Sequence, residues 1–204
     1  MSTDFDMIYY NADGQKGSMC GNGGRCIVAF ARDLGVIEQD TVFMAVDGLH
    51  HANIQAEQVQ LGMIDVNNFS RDGEAYILQT GSPHYVEFVS GLADLDVFTV
   101  GGAIRNNETY KTEGINVNFV EKEGEDAYFC RTFERGVEDE TFACGTGATA
   151  AAMAIALQEQ RDGHQEIGIR VLGGQLRIAF DKQGDSFTNV WLHGPAKSVF
   201  QGEF

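Results

Sequence analysis

A short cysteine-glycine element occurs twice in this chain of 204 residues and constrains its fold more than any other feature. It reads Cys-Gly-Asn-Gly from Cys20 and Cys-Gly-Thr-Gly from Cys144. A segment with helical spacing of apolar residues follows each copy, whereas most other segments are typical of short strands. The repeat predicts two similar halves, each a sheet wrapped on one helix, with the two helix N-termini facing each other across a cleft.

Apolar spacing of three and four residues predicts the two helices. After Gly21 the predicted apolar face comprises Ile27, Phe30, Ala31 and Leu34. After Gly145 it comprises Ala148, Ala151, Ala152 and Ile155. A weaker pattern predicts a third helix within residues 94–107, although Gly101 and Gly102 interrupt it.

The remaining chain reads as about a dozen short strands, the first at residues 5–10 and the last at 197–201. Two-residue turns such as Asp47-Gly48 and Gly173-Gly174 predict hairpins, and therefore a mainly antiparallel sheet. We expect an α+β fold with an N-terminal lobe at 1–64, completed by 193–204, and a C-terminal lobe at 65–192.

Charge and hydropathy argue against two classes of binding partner. The chain carries 14 basic and 30 acidic residues, a formal charge of −16, which repels nucleic acid and anionic membranes. It contains no apolar run of the roughly 18–20 residues that a membrane span requires, and its start lacks the pattern of a signal peptide. We expect a cytoplasmic protein that binds neither nucleic acid nor membrane.

A cysteine at a helix N-terminus lies near free backbone N–H groups and the positive end of the helix dipole, which lower a thiol pKa and favour a bound carboxylate. Two thiols on opposite faces of one carbon are suited to a cofactor-independent racemase or epimerase, in which one removes the Cα proton and the other returns one. A small buried side chain, a disulfide and a metal site are the alternatives for Cys20 and Cys144. We expect Cys26 and Cys130 to be core residues.

Further motifs carry a family resemblance. The Asn-Ala-Asp-Gly run from Asn11 and the block at residues 19–26 resemble the first signature of the diaminopimelate epimerase family. Glu-Arg-Gly at 134–136 and Thr-Phe-Ala-Cys-Gly-Thr-Gly at 141–147 resemble the second. The Gly-Ser-Pro-His block at 81–84 and the Gly-Ile-Asn-Val-Asn-Phe block at 114–119 also resemble family blocks, so the likeness spans the chain in order.

The resemblance implies two lobes, each a curled sheet or barrel around a central helix, and conversion of LL- to meso-diaminopimelate for lysine and peptidoglycan synthesis. It implies a homodimer that uses no cofactor and no metal. Cys20 and Cys144 would be the acid/base thiols, with His84 and Glu134 near them to accept or supply protons. The implied substrate-binding residues are Asn11, Gly21, Asn22, Asn116, Glu134, Arg135, Gly145 and Thr146. Arg25 could serve either substrate or fold.

The sequence departs from the family pattern at three places. Family chains usually begin with roughly fifty further residues, including a Gly-Asn-Asp-Phe block that has no match here. Ser82 stands where the family usually has Asn, and Gln15 where it usually has Ser. We therefore expect altered substrate contacts, and an inactive chain acting only as a binding module is one alternative. A proline racemase-like enzyme is another, although its first signature usually has His where Asn22 stands.

Overall fold

The computed structural model describes residues 2–11 and 14–203, so Ala12 and Asp13 of the first signature lie outside the described residues. Three α-helices are present in the described part: α1 Gly21–Asp33, α2 Val97–Arg105 and α3 Gly145–Gln158. The strands are β1 Phe5–Asp6, β2 Asp40–Ala45, β3 Gly48–Gln55, β4 Gln58–Gly62, β5 Ser70–Asp72, β6 Ala75–Gln79, β7 Pro83–Phe88, β8 Asn116–Lys122, β9 Tyr128–Glu134, β10 Asp139–Thr141, β11 Gly163–Val171, β12 Gly174–Gln183 and β13 Ser186–Pro195.

The strands form one 13-stranded sheet in the order β1-β2-β3-β4-β13-β12-β11-β9-β8-β7-β6-β5, with β10 added to β9. Most neighbours are antiparallel, and the parallel pairs are β1 with β2, β7 with β8 and β9 with β11. Strand β13 lies in the middle, because Leu192 pairs with Leu61 of β4 on one side and with Ile178 of β12 on the other. The sheet therefore runs through both predicted lobes without a break.

Helix α3 is the central element of the C-terminal half. Every residue from Gly145 to Ala156 is buried, and the helix packs against strands β6 to β9 and β11 to β13. A helix that is apolar on all sides is stable only when it is enclosed, and alanine side chains let strands approach it closely. The predicted α+β fold with a sheet curled around a helix is confirmed, as are helix α3 and, between Val97 and Arg105, the weaker helix.

Helix α1 forms where the sequence predicts it, but two of the four residues of the predicted apolar face were wrong. Phe30 and Leu34 are 60% and 62% exposed. Ala31 is buried and Ile27 packs against the core, as predicted. The rest of the buried face consists of Gly21, Gly24, Arg25 and Val28. Small residues take that face because the helix lies so close to β4 that a Cβ on Gly24 would approach Leu61 Cδ2 to 2.8 Å.

Other expectations also need correction. Cys26 is exposed, because it lies on the outer side of α1, whereas Cys130 is buried as predicted. The first strand is shorter than predicted, and residues 197–201 form no strand, since the chain leaves the sheet after Pro195 and exposes Val199 and Phe200. Strands β5 and β10 were missed. Among the described residues, no helix combines the length and apolar character that would let it cross a membrane.

Candidate active site

The N-termini of α1 and α3 meet backbone to backbone. A Cβ on Gly21 would lie 3.1 Å from the Gly145 Cα, and a Cβ on Gly145 would lie 3.0 Å from the Gly21 Cα. Leu192 of β13 packs against both glycines from the sheet side. The facing helix ends predicted from the repeat are therefore present, and glycine is required at both positions because no larger residue fits between the helices.

Cys20 and Cys144 are the N-cap residues of these helices, each in extended backbone conformation. The Cys20 sulfur accepts a hydrogen bond from the Gly23 N–H at 3.3 Å, and the Cys144 sulfur lies 3.4 Å from the Thr146 hydroxyl oxygen. An α-helix leaves its first backbone N–H groups without helical partners, so each thiol borders donors that can hold an anion.

Both thiols open onto one cavity of about 640 Å³. Every predicted catalytic or binding residue except His84 lines it: Asn11, Cys20, Gly21, Asn22, Asn116, Glu134, Arg135, Cys144, Gly145 and Thr146. Ser82, where the sequence predicted an altered substrate contact, lines the cavity too. The sequence analysis did not assign the other lining residues to the site: Tyr9, Lys16, Gly17, Ser18, Met19, Arg105, Gly136, Glu138 and Ala143. A volume of this size accommodates a small polar metabolite.

Asn22 links the two helix ends. Its amide Nδ2 donates to the Ala143 carbonyl at 2.6 Å, and its Oδ1 accepts from the Arg25 guanidinium at 2.7 Å. Arg25 is buried and also donates to the carbonyls of Gly21 and Pro195. Arg25 thus has a structural position, since it joins α1 to the end of β13 and holds Asn22 against the residue that precedes Cys144.

Glu134 is the acidic group in the cavity whose charge acts on Cys144. Burial raises the pKa of its carboxyl, against a hydrogen bond from Thr141 that lowers it. Burial and the Glu134 charge together raise the pKa of the Cys144 thiol, while the Thr146 hydroxyl and the Gly147 N–H act in the opposite direction. Burial and the Glu134 charge outweigh these two hydrogen bonds, so the Cys144 pKa is raised where the sequence led us to expect it to be lowered, and the thiol keeps its proton at neutral pH.

The far side of the cavity is basic and amide-rich. Asn116 accepts from the Arg135 N–H at 2.9 Å and donates to the Ser82 hydroxyl at 2.9 Å. The Arg135 guanidinium donates to the Glu113 carbonyl, and burial and the neighbouring Arg105 charge lower its pKa. Ser82 stands where the family pattern has Asn, so the Asn116 amide donates here to a hydroxyl oxygen and not to an amide.

Tyr9 and Arg105 are two of the cavity residues that no sequence motif predicts. A negative charge on Cys20, followed by burial, raises the pKa of Tyr9 to about 12, so its hydroxyl stays protonated beside the thiols. Arg105 is at the end of α2 and pairs with Glu138 at 3.2 Å. Neither residue belongs to a motif, and both reach the cavity only through tertiary packing.

His84 lies behind the cavity wall. Its ring is fully buried, with Nε2 2.9 Å from the Thr146 hydroxyl. Burial, together with the Arg135 charge, lowers its pKa to about 3, so the ring is neutral. His84 does not line the cavity, but the Thr146 hydroxyl links it to Cys144, so its expected part in proton transfer stays a prediction. Within the described ranges, no group of three or more His, Cys, Asp and Glu side chains could hold a metal ion.

Comparisons with solved structures identify the fold. A probable proline racemase from Agrobacterium radiobacter superposes with a TM-score of 0.69 at 15% identity, covering 96% of this chain and 72% of that one. A PhzF-family phenazine biosynthesis protein from Bacillus anthracis gives 0.69 at 13% identity, covering 93% and 77%. At these identities the likeness concerns the fold alone.

Sequence comparisons are more specific. The family model for diaminopimelate epimerase matches residues 76–199. The diaminopimelate epimerase of Flavobacterium psychrophilum is 46% identical over 201 residues, covering 98% of this chain and 78% of that protein. The one from Chlorobaculum tepidum is 41% identical over 211 residues, covering 98% and 80%. With the repeated Cys-Gly element at its facing helix ends, the chain belongs to the diaminopimelate epimerase family.

Proposed function

We propose that this protein is an isomerase that epimerises LL-2,6-diaminopimelate to meso-diaminopimelate, with Cys20 and Cys144 as the two proton-transfer groups. The observation that carries the proposal is the pair of thiols at facing helix N-termini on one cavity, in a chain 46% identical to a named diaminopimelate epimerase. The same chemistry needs no cofactor, because both proton-transfer groups come from the chain.

The helix ends would hold the reacting carbon. Its carboxylate fits the unpaired N–H groups of Gly21, Asn22, Gly145 and Thr146, and binding there favours the negative charge that develops when the Cα proton leaves. Such donors stabilise the carbanion because its charge spreads into the carboxylate. Two oppositely placed helix ends leave the two faces of the carbon for the two sulfurs.

The raised pKa of Cys144 supports different roles for the two thiols. The raised pKa of Cys144 keeps that sulfur protonated, which suits it to donate a proton first. Cys20 would then be the group that removes the Cα proton as the thiolate. Turnover in the opposite direction reverses both roles.

The other polar side chains that line the cavity would bind the distal end of the substrate. Arg135 and Arg105 carry positive charge toward the cavity and suit a carboxylate, whereas Glu134 and the amide oxygen of Asn11 suit an ammonium group. Diaminopimelate carries one carboxylate and one ammonium at each end, so the mixed charges of the cavity match its chemistry.

The test is proton NMR of LL-diaminopimelate incubated with the protein in deuterated water. We expect loss of the Cα signal and appearance of the meso form. The Cys20→Ser and Cys144→Ser variants should lose at least about 100-fold in rate, the scale of a lost general acid or base. Cys26→Ser is the matched control and should keep full activity, because that thiol is on the outer face of α1.

L-Proline and trans-4-hydroxyproline serve as comparison substrates in the same assay. Exchange of the proline Cα proton with none on diaminopimelate would contradict the substrate and favour a proline racemase-like enzyme. A folded protein that exchanges none of these protons would contradict the catalytic proposal and favour the alternative that the chain is only a binding module.

We also propose that the protein acts in the cytoplasm as a homodimer in lysine and peptidoglycan precursor synthesis, with no nucleic acid or membrane partner. The family membership and the net charge of −16 support this. Sedimentation at micromolar concentration tests the dimer, and a monomer that retains full activity would contradict it.

A further inference from the structure

A line of buried polar side chains continues from the active site into the core. It runs from Thr132 through Asn118 and His84 to Thr146, and these four residues are between 0% and 3% exposed. Such groups are retained in a core only when each finds a partner. The chemistry of the partners shows which atom donates and which atom accepts in each hydrogen bond.

The orientation of the Asn118 amide is fixed by the Tyr85 carbonyl, which can only accept a hydrogen bond. Its Nδ2 donates to the Tyr85 carbonyl at 2.9 Å, and its Oδ1 accepts from the Thr132 hydroxyl at 3.0 Å. Reversing the amide would set its oxygen against the Tyr85 oxygen, which is a pure acceptor. The second Nδ2 hydrogen then points to His84 Nδ1, at 3.0 Å.

This orientation fixes the tautomer of His84. Because Nδ1 accepts from Asn118, it carries no hydrogen, and a neutral ring must carry its hydrogen on Nε2. Nε2 therefore donates to the Thr146 hydroxyl oxygen, at 2.9 Å. The Thr146 hydroxyl, having accepted, is left with its own hydrogen directed to the Cys144 sulfur, at 3.4 Å.

We propose that Asn118 is a positioning residue for proton transfer: by fixing the His84 tautomer it makes the Thr146 hydroxyl a donor to the Cys144 sulfur, which stabilises that sulfur as a thiolate after it gives up its proton. This inference rests on the proposed role of Cys144 and deepens it. Asn118 does not line the cavity, and we infer that it acts through His84 and Thr146.

The first test needs no variant and no substrate. In protein labelled with ¹⁵N-histidine, the His84 signals, identified by their loss in His84→Gln, should show a hydrogen on Nε2 and none on Nδ1. A wild-type ring protonated on Nδ1 overturns the proposal.

The second test reverses the donor at position 118. A carboxylate in Asn118→Asp accepts a hydrogen bond, so the His84 hydrogen should move to Nδ1, and Nε2 should then accept the Thr146 hydrogen in place of the sulfur. At any fixed pH below the midpoint of its profile, alkylation of Cys144 by iodoacetamide should slow about tenfold or more, whereas Cys20 should be unaffected. We expect kcat to fall similarly with KM unchanged.

Asn106→Asp is the matched control, because it makes the same chemical change at the exposed end of α2 and should alter neither thiol. An Asn118→Asp variant that keeps its hydrogen on Nε2, or one that changes tautomer without slowing Cys144, overturns the proposal. Since the tautomer and the alkylation rates are read without turnover, their failure is distinguishable from the failure of the wild-type protein to exchange diaminopimelate.

Discussion

The closest backbone approach in the site predicts that Gly145→Ala damages both stability and turnover. The new Cβ would lie 3.0 Å from the Gly21 Cα, 3.2 Å from its carbonyl carbon and 2.9 Å from Leu192 Cδ2. Carbon atoms are comfortable at about 3.5 Å or more, so the two helices must separate by about 0.5 Å. Because α3 is enclosed along most of its length, the strain cannot be relieved by a free shift of the helix.

We expect this overpacking to lower the free energy of unfolding by about 1–3 kcal/mol. Displacing one thiol relative to the other by a fraction of an ångström should also reduce the exchange rate of diaminopimelate by about 10- to 100-fold. Urea unfolding and exchange in deuterated water measure the two effects on the same samples.

Gly102→Ala is the matched control. Gly102 is inside α2, where a Cβ would make only ordinary contacts at 3.6 and 3.7 Å with Phe133. That variant should be as stable as the wild type or more stable by up to about 1 kcal/mol, with full activity. Wild-type activity and an unfolding free energy unchanged within about 0.5 kcal/mol in Gly145→Ala would refute the reasoning.

Three further predictions concern titrating groups. Glu134→Gln removes a charge that raises the pKa of Cys144, so iodoacetamide should alkylate this thiol faster at fixed pH, and an unchanged rate would be the contrary result. Mild oxidation should link Cys20 to Cys144, and mass spectrometry that finds no such link would count against the facing geometry. Burial lowers the pKa of His50, but its hydrogen bonds to Asp47 and Gly62 outweigh this and leave the pKa raised. The resulting stabilisation should be complete below the unfolded value of about 6.5 and disappear as the pH rises through the folded value, a dependence that urea unfolding should no longer show in His50→Gln.

The repeated Cys-Gly element was sufficient to predict the two helices and their facing ends, because a helix N-terminus with a glycine at its first position has a local signature. The inner face of α1 was not predictable in the same way. Periodicity ranks Phe30 and Leu34 as core residues, yet Gly24 and Val28 face the sheet. Close approach of a helix to a strand selects small residues, and the apolar pattern alone does not report that distance.

The residues of the site also differ in how well the sequence predicts them. Residues in motifs, such as Asn116 and Arg135, line the cavity as the resemblance implies, because a motif specifies the local backbone conformation. The placement of His84 behind Thr146 and of Tyr9 beside Cys20 depends on which strands become neighbours. Pairings across the sheet are not encoded within any short segment, and so the order of the hydrogen bonds at Cys144 could be obtained only from the structure.

The central place of β13 has a consequence for the order of folding. This strand follows the other twelve described strands in sequence, yet it lies between β4 and β12 and carries Leu192, which packs against both Gly21 and Gly145. During synthesis β4 therefore presents an open edge until β13 has also been synthesised. Until β13 is in place, the edges of β4 and β12 are open to mispairing, and Gly21 and Gly145 lack the Leu192 side chain that packs against both.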